Sequence, residues 1–234
     1  KGLLAKKDFM VKTIVTTEMI RKICKNFNTE LVDCYTGFKW IASEIRLREG
    51  KMNYIGGGEE SYGYMPLDFV RDKDSVICCA LMAEIVAWAR MKGMSLYDYL
   101  MSIYIEYGFS KEKGISVVKK GKSGAEEIQM MMKNYRSCPP QMLADSKVVK
   151  VKDYQLLMEL NLLTGARAPI DFNTTSNVLQ YFTEDGTKVS VRPSGTEPKI
   201  KYYIEVQMKM KNEADYEKCD RLAEAKMAAI INSF

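Results

Sequence analysis

Histidine does not occur in this sequence. Proton transfer must therefore fall to lysine, carboxylate, tyrosine or bound water, and histidine metal ligands are excluded. No apolar run approaches the roughly 20 residues that span a bilayer, and nothing at the start reads as a secretory leader. No membrane partner is expected. The chain begins at Lys1 rather than Met, as a piece of something longer would. Its six cysteines, Cys24, Cys34, Cys78, Cys79, Cys138 and Cys219, make no C-x-x-C and no zinc spacing. They read as reduced core thiols of a cytoplasmic protein. A dense basic face is also missing: net charge is +5 over 234 residues, with the lysines scattered. That disfavours nucleic acid and favours small anionic ligands. There is no internal repeat and no low-complexity tract. What is present, 47% hydrophobic and 28% charged residues, is enough for one large globular domain or two of ordinary size.

Hydrophobic periodicity divides the chain in two. Residues 9–15 form a β-rich run. Thr16 or Thr17 is placed to cap a helix over 18–26, whose Met19, Ile20, Ile23 and Phe27 fall at helical spacing. A strand at 30–35, a break at Thr36-Gly37, a helix at 38–49 and a strand at 53–55 follow, the last ending in Gly56-Gly57-Gly58. This alternation predicts a parallel sheet covered by helices, with ligands gathering beyond the carboxyl ends of the strands. Asp74-Ser75 caps a helix over 76–92 that is apolar on nearly every face and therefore expected to be buried. Gly93 stops it. Ser95 and Asp98 make a capping box for the next helix, which Gly108 ends.

The first domain is expected over residues 1–110 and the second over 111–234, with a hinge near 107–113 able to close over a ligand. In the second, 114–120 reads as a strand, and Ser123 caps a helix to about 134. Cys138-Pro139-Pro140 is a break, 147–152 a strand, and 155–163 fits helix or strand. Residues 177–183, 187–191 and 199–208 make a meander whose first turn is Asp185-Gly186. Asn212 caps a last helix to about 231. Hairpins flanked by helices predict an α+β domain. Residues 119–124 have the most mobile composition.

Three stretches carry chemistry. In residues 191–201, Val-Arg-Pro-Ser-Gly-Thr-Glu-Pro-Lys-Ile-Lys, Arg192 can hold a phosphate through two parallel N–H bonds. Gly195 admits backbone N–H groups to an anion, Ser194 and Thr196 add hydroxyls, and Lys201 adds positive charge. A tight turn with a structural arginine would use the same residues. In residues 56–64, Glu59 and Ser61 place a carboxylate and a hydroxyl two apart on a glycine-framed loop, which suits neighbouring sugar hydroxyls. A turn with solvated glutamates is the plainer reading. The glycines do not follow G-x-G-x-x-G and open no long helix, which argues against a dinucleotide site. Arg71-Asp72-Lys73-Asp74 is a charged helix entry, or else sets Lys73 beside the sugar loop as acid or base, its pKa lowered by burial or neighbouring cations.

Together, Thr36-Gly37-Phe38-Lys39, Gly58-Glu59-Glu60-Ser61-Tyr62-Gly63, Arg71-Asp72-Lys73-Asp74 and Arg192-Pro193-Ser194-Gly195-Thr196-Glu197-Pro198 resemble the α-D-phosphohexomutase family, of the phosphoglucomutase/phosphomannomutase kind. Their order and spacing match the last two of that family's four domains, over nearly the whole chain. The resemblance implies a three-layer α/β domain with a mixed or parallel sheet, followed by an α+β domain of the TATA-box-binding-protein-like type. It implies that Glu59 and Ser61 contact sugar hydroxyls and that Thr36 and Gly37 lie in a loop near the ligand. Lys73 matches the lysine proposed for proton transfer in glucose-type members. Arg192, Ser194, Gly195 and Thr196 match the loop that binds the substrate's phosphate, with Lys201 the basic residue on the following strand. Where some members carry a histidine at the end of the sugar loop, Gly63-Tyr64 stand here.

Such enzymes pass a phosphoryl group between a phosphoserine and the 1- or 6-position of a hexose phosphate. The intermediate is a hexose bisphosphate such as glucose 1,6-bisphosphate, and magnesium is required. The phosphoserine loop, usually T-A-S-H-N-P, and the magnesium loop, D-G-D-G-D-R, are both absent from this sequence. The resemblance thus makes the partners a hexose phosphate and N-terminal phosphoserine and metal domains. No metal ligand is expected in this chain, which alone should be catalytically silent. A non-catalytic sugar-phosphate or anion-binding module that kept the recognition half is the alternative. The double glutamate leans toward glucose, while mannose, pentose and amino-sugar phosphates stay open.

Overall fold

The computed structural model describes residues 4–60, 63–119, 121–195 and 197–234. Ser61 and Thr196 lie outside the described residues. The chain divides into two compact units, Lys1–Gly108 and Phe109–Phe234.

In the first unit β1 (Asp8–Thr13), α1 (Met19–Asn26), β2 (Glu30–Cys34), α2 (Phe38–Arg48) and β3 (Asn53–Glu59) alternate along the chain. β1 lies between β2 and β3 and runs parallel to both, while a short β4 (Gly63–Met65) returns antiparallel on β3. Phe9 and Val11 of β1 pack with Phe38, Ile41 and Ile45 of α2 and with Met65, so alternate residues of the strand meet the helix's apolar stripe. The glycine run is not the turn expected. Gly56, Gly57 and Gly58 pair with Met10, Val11 and Lys12 inside β3. A Cβ on Gly57 would lie 2.5 Å from the Val11 carbonyl oxygen, so any side chain there would force the strands apart. The strand therefore runs on to Glu59 and carries that residue to its tip.

α3 (Ser75–Met91) opens where the Asp74 carboxylate accepts from the Val76 and Ile77 N–H groups, and α4 (Leu96–Tyr107) opens on the Ser95/Asp98 capping box. The burial expected of α3 is not found. Ala89 is its single buried residue, and Val76 and Met91 are 79% and 85% exposed. A helix apolar all round has no stripe to choose a neighbour, so its composition shows that it is helical without showing what covers it. The reading of the cysteines as core thiols is corrected accordingly. Cys24, Cys34 and Cys219 are buried, whereas Cys79 on α3 and Cys138 are exposed and Cys78 is half-buried; all six are free thiols.

The second unit comprises β5 (Phe109–Val118), α5 (Gly121–Ser137), β6 (Met142–Leu143), β7 (Ser146–Asp153), β8 (Met158–Asn161), β9 (Arg167–Pro169), β10 (Leu179–Thr183), β11 (Lys188–Pro193), β12 (Lys199–Met208) and α6 (Tyr216–Ile231). The strands form an antiparallel sheet in the order β5-β12-β11-β10-β7-β8-β9, with β6 on β7. Tyr181, Val189, Val191, Ile200, Tyr202 and Ile204 alternate into a core under α5 and α6, which add Ile128, Met132, Ala223, Met227 and Ile230. β5 starts earlier than predicted and pairs with β12 from Phe109 opposite Met208 to Val118 opposite Lys199. Residues 109–113 are thus held in a ladder, and the division between the units, at Gly108/Phe109, falls within the expected 107–113 stretch. α5 starts at Gly121 rather than at a Ser123 cap and takes up most of the stretch read as mobile. The ambiguous 155–163 segment contains β8. α6 begins at Tyr216, after a short turn in which the Asn212 N–H donates to Asp215.

Candidate functional site

Both groups of candidate residues sit at strand ends, one group in each unit. In the first unit the loops after β1, β2 and β3 emerge at the carboxyl ends of parallel strands, where ligands collect in such sheets. Glu59, at the tip of β3, accepts a hydrogen bond from the Gly37 N–H at 3.0 Å. This ties the Thr36-Gly37 loop to the glutamate, so three of the predicted residues are brought together. Thr36 is half-buried beside buried Tyr35, whose ring meets Trp40 edge-on at 5.6 Å. Burial pushes the Tyr35 phenol up to about 12, so it stays neutral at ordinary pH. Glu60, next in the chain, turns the other way. Its Oε2 accepts from the hydroxyls of Thr13 at 3.1 Å and Thr16 at 3.0 Å. Of the two threonines expected as the helix cap, Thr16 serves this glutamate, and the Met19 N–H donates to Thr17 at 3.2 Å. The two consecutive carboxylates therefore fasten two different loops.

Beneath them lies a cation that sequence reasoning missed. Lys12 is 1% exposed, and its ammonium sits 3.0 Å from both Glu18 and Asp33, with the carbonyl oxygens of Thr13 and Thr16 at 3.4 Å. Arg21 bonds the same two carboxylates from outside. A charged residue inside an otherwise apolar strand run was the available signal, because a lysine is buried only when paired.

Lys73 departs from expectation. Its side chain is 65% exposed and its ammonium pairs with Asp72 at 3.0 Å, so the burial expected of it is not found. It does lie against the loop cluster, 5.5 Å from the Phe38 ring that opens α2. Gly63 sets this spacing. A Cβ there would stand 2.6 Å from the Phe38 ring, so a side chain at this position would push the ring away.

In the second unit Arg192 is the next-to-last residue of β11, directly opposite Lys201 of β12 in antiparallel register. Residues so paired share a face with Cβ atoms about 5 Å apart, which concentrates two cations at one strand end. The loop is closed by the Ser194 N–H donating to Lys199 O at 2.8 Å. Lys199, not singled out from sequence, pairs with Glu197. Hydrogen bonding and charge from Lys199, helped by Lys201, hold the Glu197 carboxyl below its usual range. A Cβ at Gly195 would meet nothing within 4 Å, leaving room for an anion to approach the backbone. Arg192, Lys199 and Lys201 outnumber Glu197, so the loop has a positive balance suited to a phosphate.

Residues 1–107 match the family model for phosphoglucomutase/phosphomannomutase alpha/beta/alpha domain III, and residues 146–225 match that family's C-terminal domain. A phosphoglucomutase of Staphylococcus aureus (strain MRSA252) is 35% identical over 198 residues, covering 85% of this chain and 36% of that protein. The phosphoglucomutase of strain N315 is 34% identical with the same coverage. The chain thus spans about a third of the length of the curated relatives it matches. Among solved structures, the open form of the exocytosis-sensitive phosphoprotein parafusin, a phosphoglucomutase from Paramecium, superposes with a TM-score of 0.60 at 15% identity, covering 95% of this chain and 35% of the other. A putative phosphomannomutase from Thermus thermophilus gives 0.55 at 17% identity, covering 94% and 37%. At such identities these two likenesses concern the fold alone.

Proposed function

The chain belongs to the phosphoglucomutase/phosphomannomutase family, and from that premise we infer that it is the substrate-recognition half of a cytoplasmic phosphohexomutase. The observation that carries this reading is the register that sets Arg192 opposite Lys201 beside an open glycine loop. Arg192, Ser194, Gly195, Thr196 and Lys201 hold the phosphate that is not reacting. Glu59 and Ser61, with the Thr36-Gly37 loop tied to Glu59, read the sugar hydroxyls. Lys73 moves a proton at a sugar hydroxyl.

The partners are a hexose phosphate and the phosphoserine and metal domains of the same protein. Transfer between the 1- and 6-positions proceeds through glucose 1,6-bisphosphate or its counterpart. Magnesium, when bound, stabilises charge on the transferring phosphoryl group. The described residues contain no group of three His, Cys, Asp or Glu able to hold a metal ion; in this reading its ligands belong to the metal domain. The binding interactions set the geometry in which the distant reaction occurs, and that geometry is the chain's contribution to catalysis.

The test is a turnover assay of the 234-residue chain with glucose 1-phosphate, glucose 1,6-bisphosphate and magnesium. No glucose 6-phosphate is expected. Steady conversion would overturn the assignment of the chain as a recognition half.

A further inference from the structure

On the helix-covered face of the second unit's sheet lies a cavity of about 250 Å³. Ile115 and Val117 of β5 and Tyr202 of β12 form its floor, and Met131, Ile231 and Phe234 face them. The wall presents carbon rather than polar atoms. The Tyr202 hydroxyl is engaged with Tyr135 Oη at 3.1 Å, and the Phe234 ring lies 5.2 Å from the Tyr202 ring and 5.5 Å from the Tyr135 ring. An apolar cavity of roughly 150 Å³ stays dry and accepts benzene, so this one has room for a ring with a short substituent.

Among the described lining residues Lys119 alone is charged. Its ammonium pairs with Glu127 at 2.6 Å, with the two side chains 33% and 52% exposed. A pair this wet is held weakly, so a ligand carboxylate reaching Lys119 can displace Glu127 at little cost. We propose that this cavity is a second ligand site, taking a compact apolar molecule that carries one carboxylate on Lys119.

The site is separate from the phosphate loop. Successive residues of a strand point to opposite faces, so Tyr202 enters the cavity while Lys201, opposite Arg192, faces away. The two are nonetheless connected, because the Lys119 N–H donates to Pro198 O at 2.8 Å at the end of the phosphate loop. The proposal is independent of the mutase reading, since its ligand needs neither a sugar nor a phosphate.

The test titrates the 234-residue chain with phenylacetate and with its neutral counterpart, phenylacetamide, following methyl and amide NMR shifts. Phenylacetate is expected to shift the Ile115, Val117 and Ile231 methyls saturably, and phenylacetamide to bind about tenfold more weakly. Lys119→Met, which removes the charge and keeps an apolar stem, should bring the two affinities together. Ile115→Trp, which fills the cavity, should abolish both; should it fail to fold, Lys119→Met still decides. No saturable shift at these methyls, equal affinity for the two probes, phenylacetate binding untouched by Lys119→Met, or shifts confined to residues 192–201 would each overturn the proposal.

Discussion

Adjacent residues at the end of β3 have separate tasks. Glu59 fastens the loop after β2 through the Gly37 N–H, and Glu60 fastens the loop after β1 through two threonine hydroxyls. Charge-assisted bonds of this kind are stronger than neutral ones, so loops that would otherwise wander are held by carboxylates on a single strand end. Gly63 is a tight position. Gly63→Ala sets a Cβ 2.6 Å from the Phe38 ring, and overpacking of this sort costs about 1–3 kcal/mol. A lowered urea midpoint with unchanged slope is the expected result; an unchanged midpoint would show that Phe38 gives way freely. Arg192 is best tested in a protein that also carries the phosphoserine and magnesium loops. Arg192→Ala is expected to raise KM for hexose phosphates and to lower kcat, because binding energy far from the reacting group positions it. Unchanged steady-state kinetics would remove Arg192 from the phosphate site.

At the level of elements, several caps and turns are legible in sequence because their chemistry is local. Asp74, the Ser95/Asp98 box and the Asp185-Gly186 turn all stand where their residue types placed them. Elements whose limits depend on a partner strand were misjudged. β3 runs through three glycines because β1 pairs with them, and β5 starts early because β12 does. The Asp185 turn also joins sheet to helix, since Lys226 of α6 bonds its carboxylate and reaches Asp145 at 3.3 Å. Burial alone would raise the Asp185 carboxyl, but hydrogen bonds from Lys226, Thr183 and Thr187 outweigh it and hold it well below the usual carboxylate range. A carboxyl depressed in the folded state contributes stability that is present above its unfolded value of about 3.9 and is lost as pH falls toward the folded one. Urea unfolding at pH 6 and pH 3 should therefore show acid destabilisation that Asp185→Asn reduces. An equal acid loss in the variant would assign the effect to other groups.

At the scale of the molecule, the buried charges are what sequence left unseen. Lys12 in the first unit and the Lys188–Glu205 pair in the second, 3.0 Å apart and at most 2% exposed, are invisible to a reading that places charge on the surface. The same holds for α3, whose apolar residues are largely exposed in this chain. Sequence established the alternation of strand and helix and the caps at Asp74 and Ser95, since periodicity and hydrogen-bonding side chains act over a few residues. Tertiary structure decided which carboxylate meets which loop, that Lys73 rests exposed against Phe38, that Arg192 stands opposite Lys201, and that a cavity remains beneath α5 and α6. Those are contacts between residues up to about a hundred positions apart, and only strand register and packing bring such residues together.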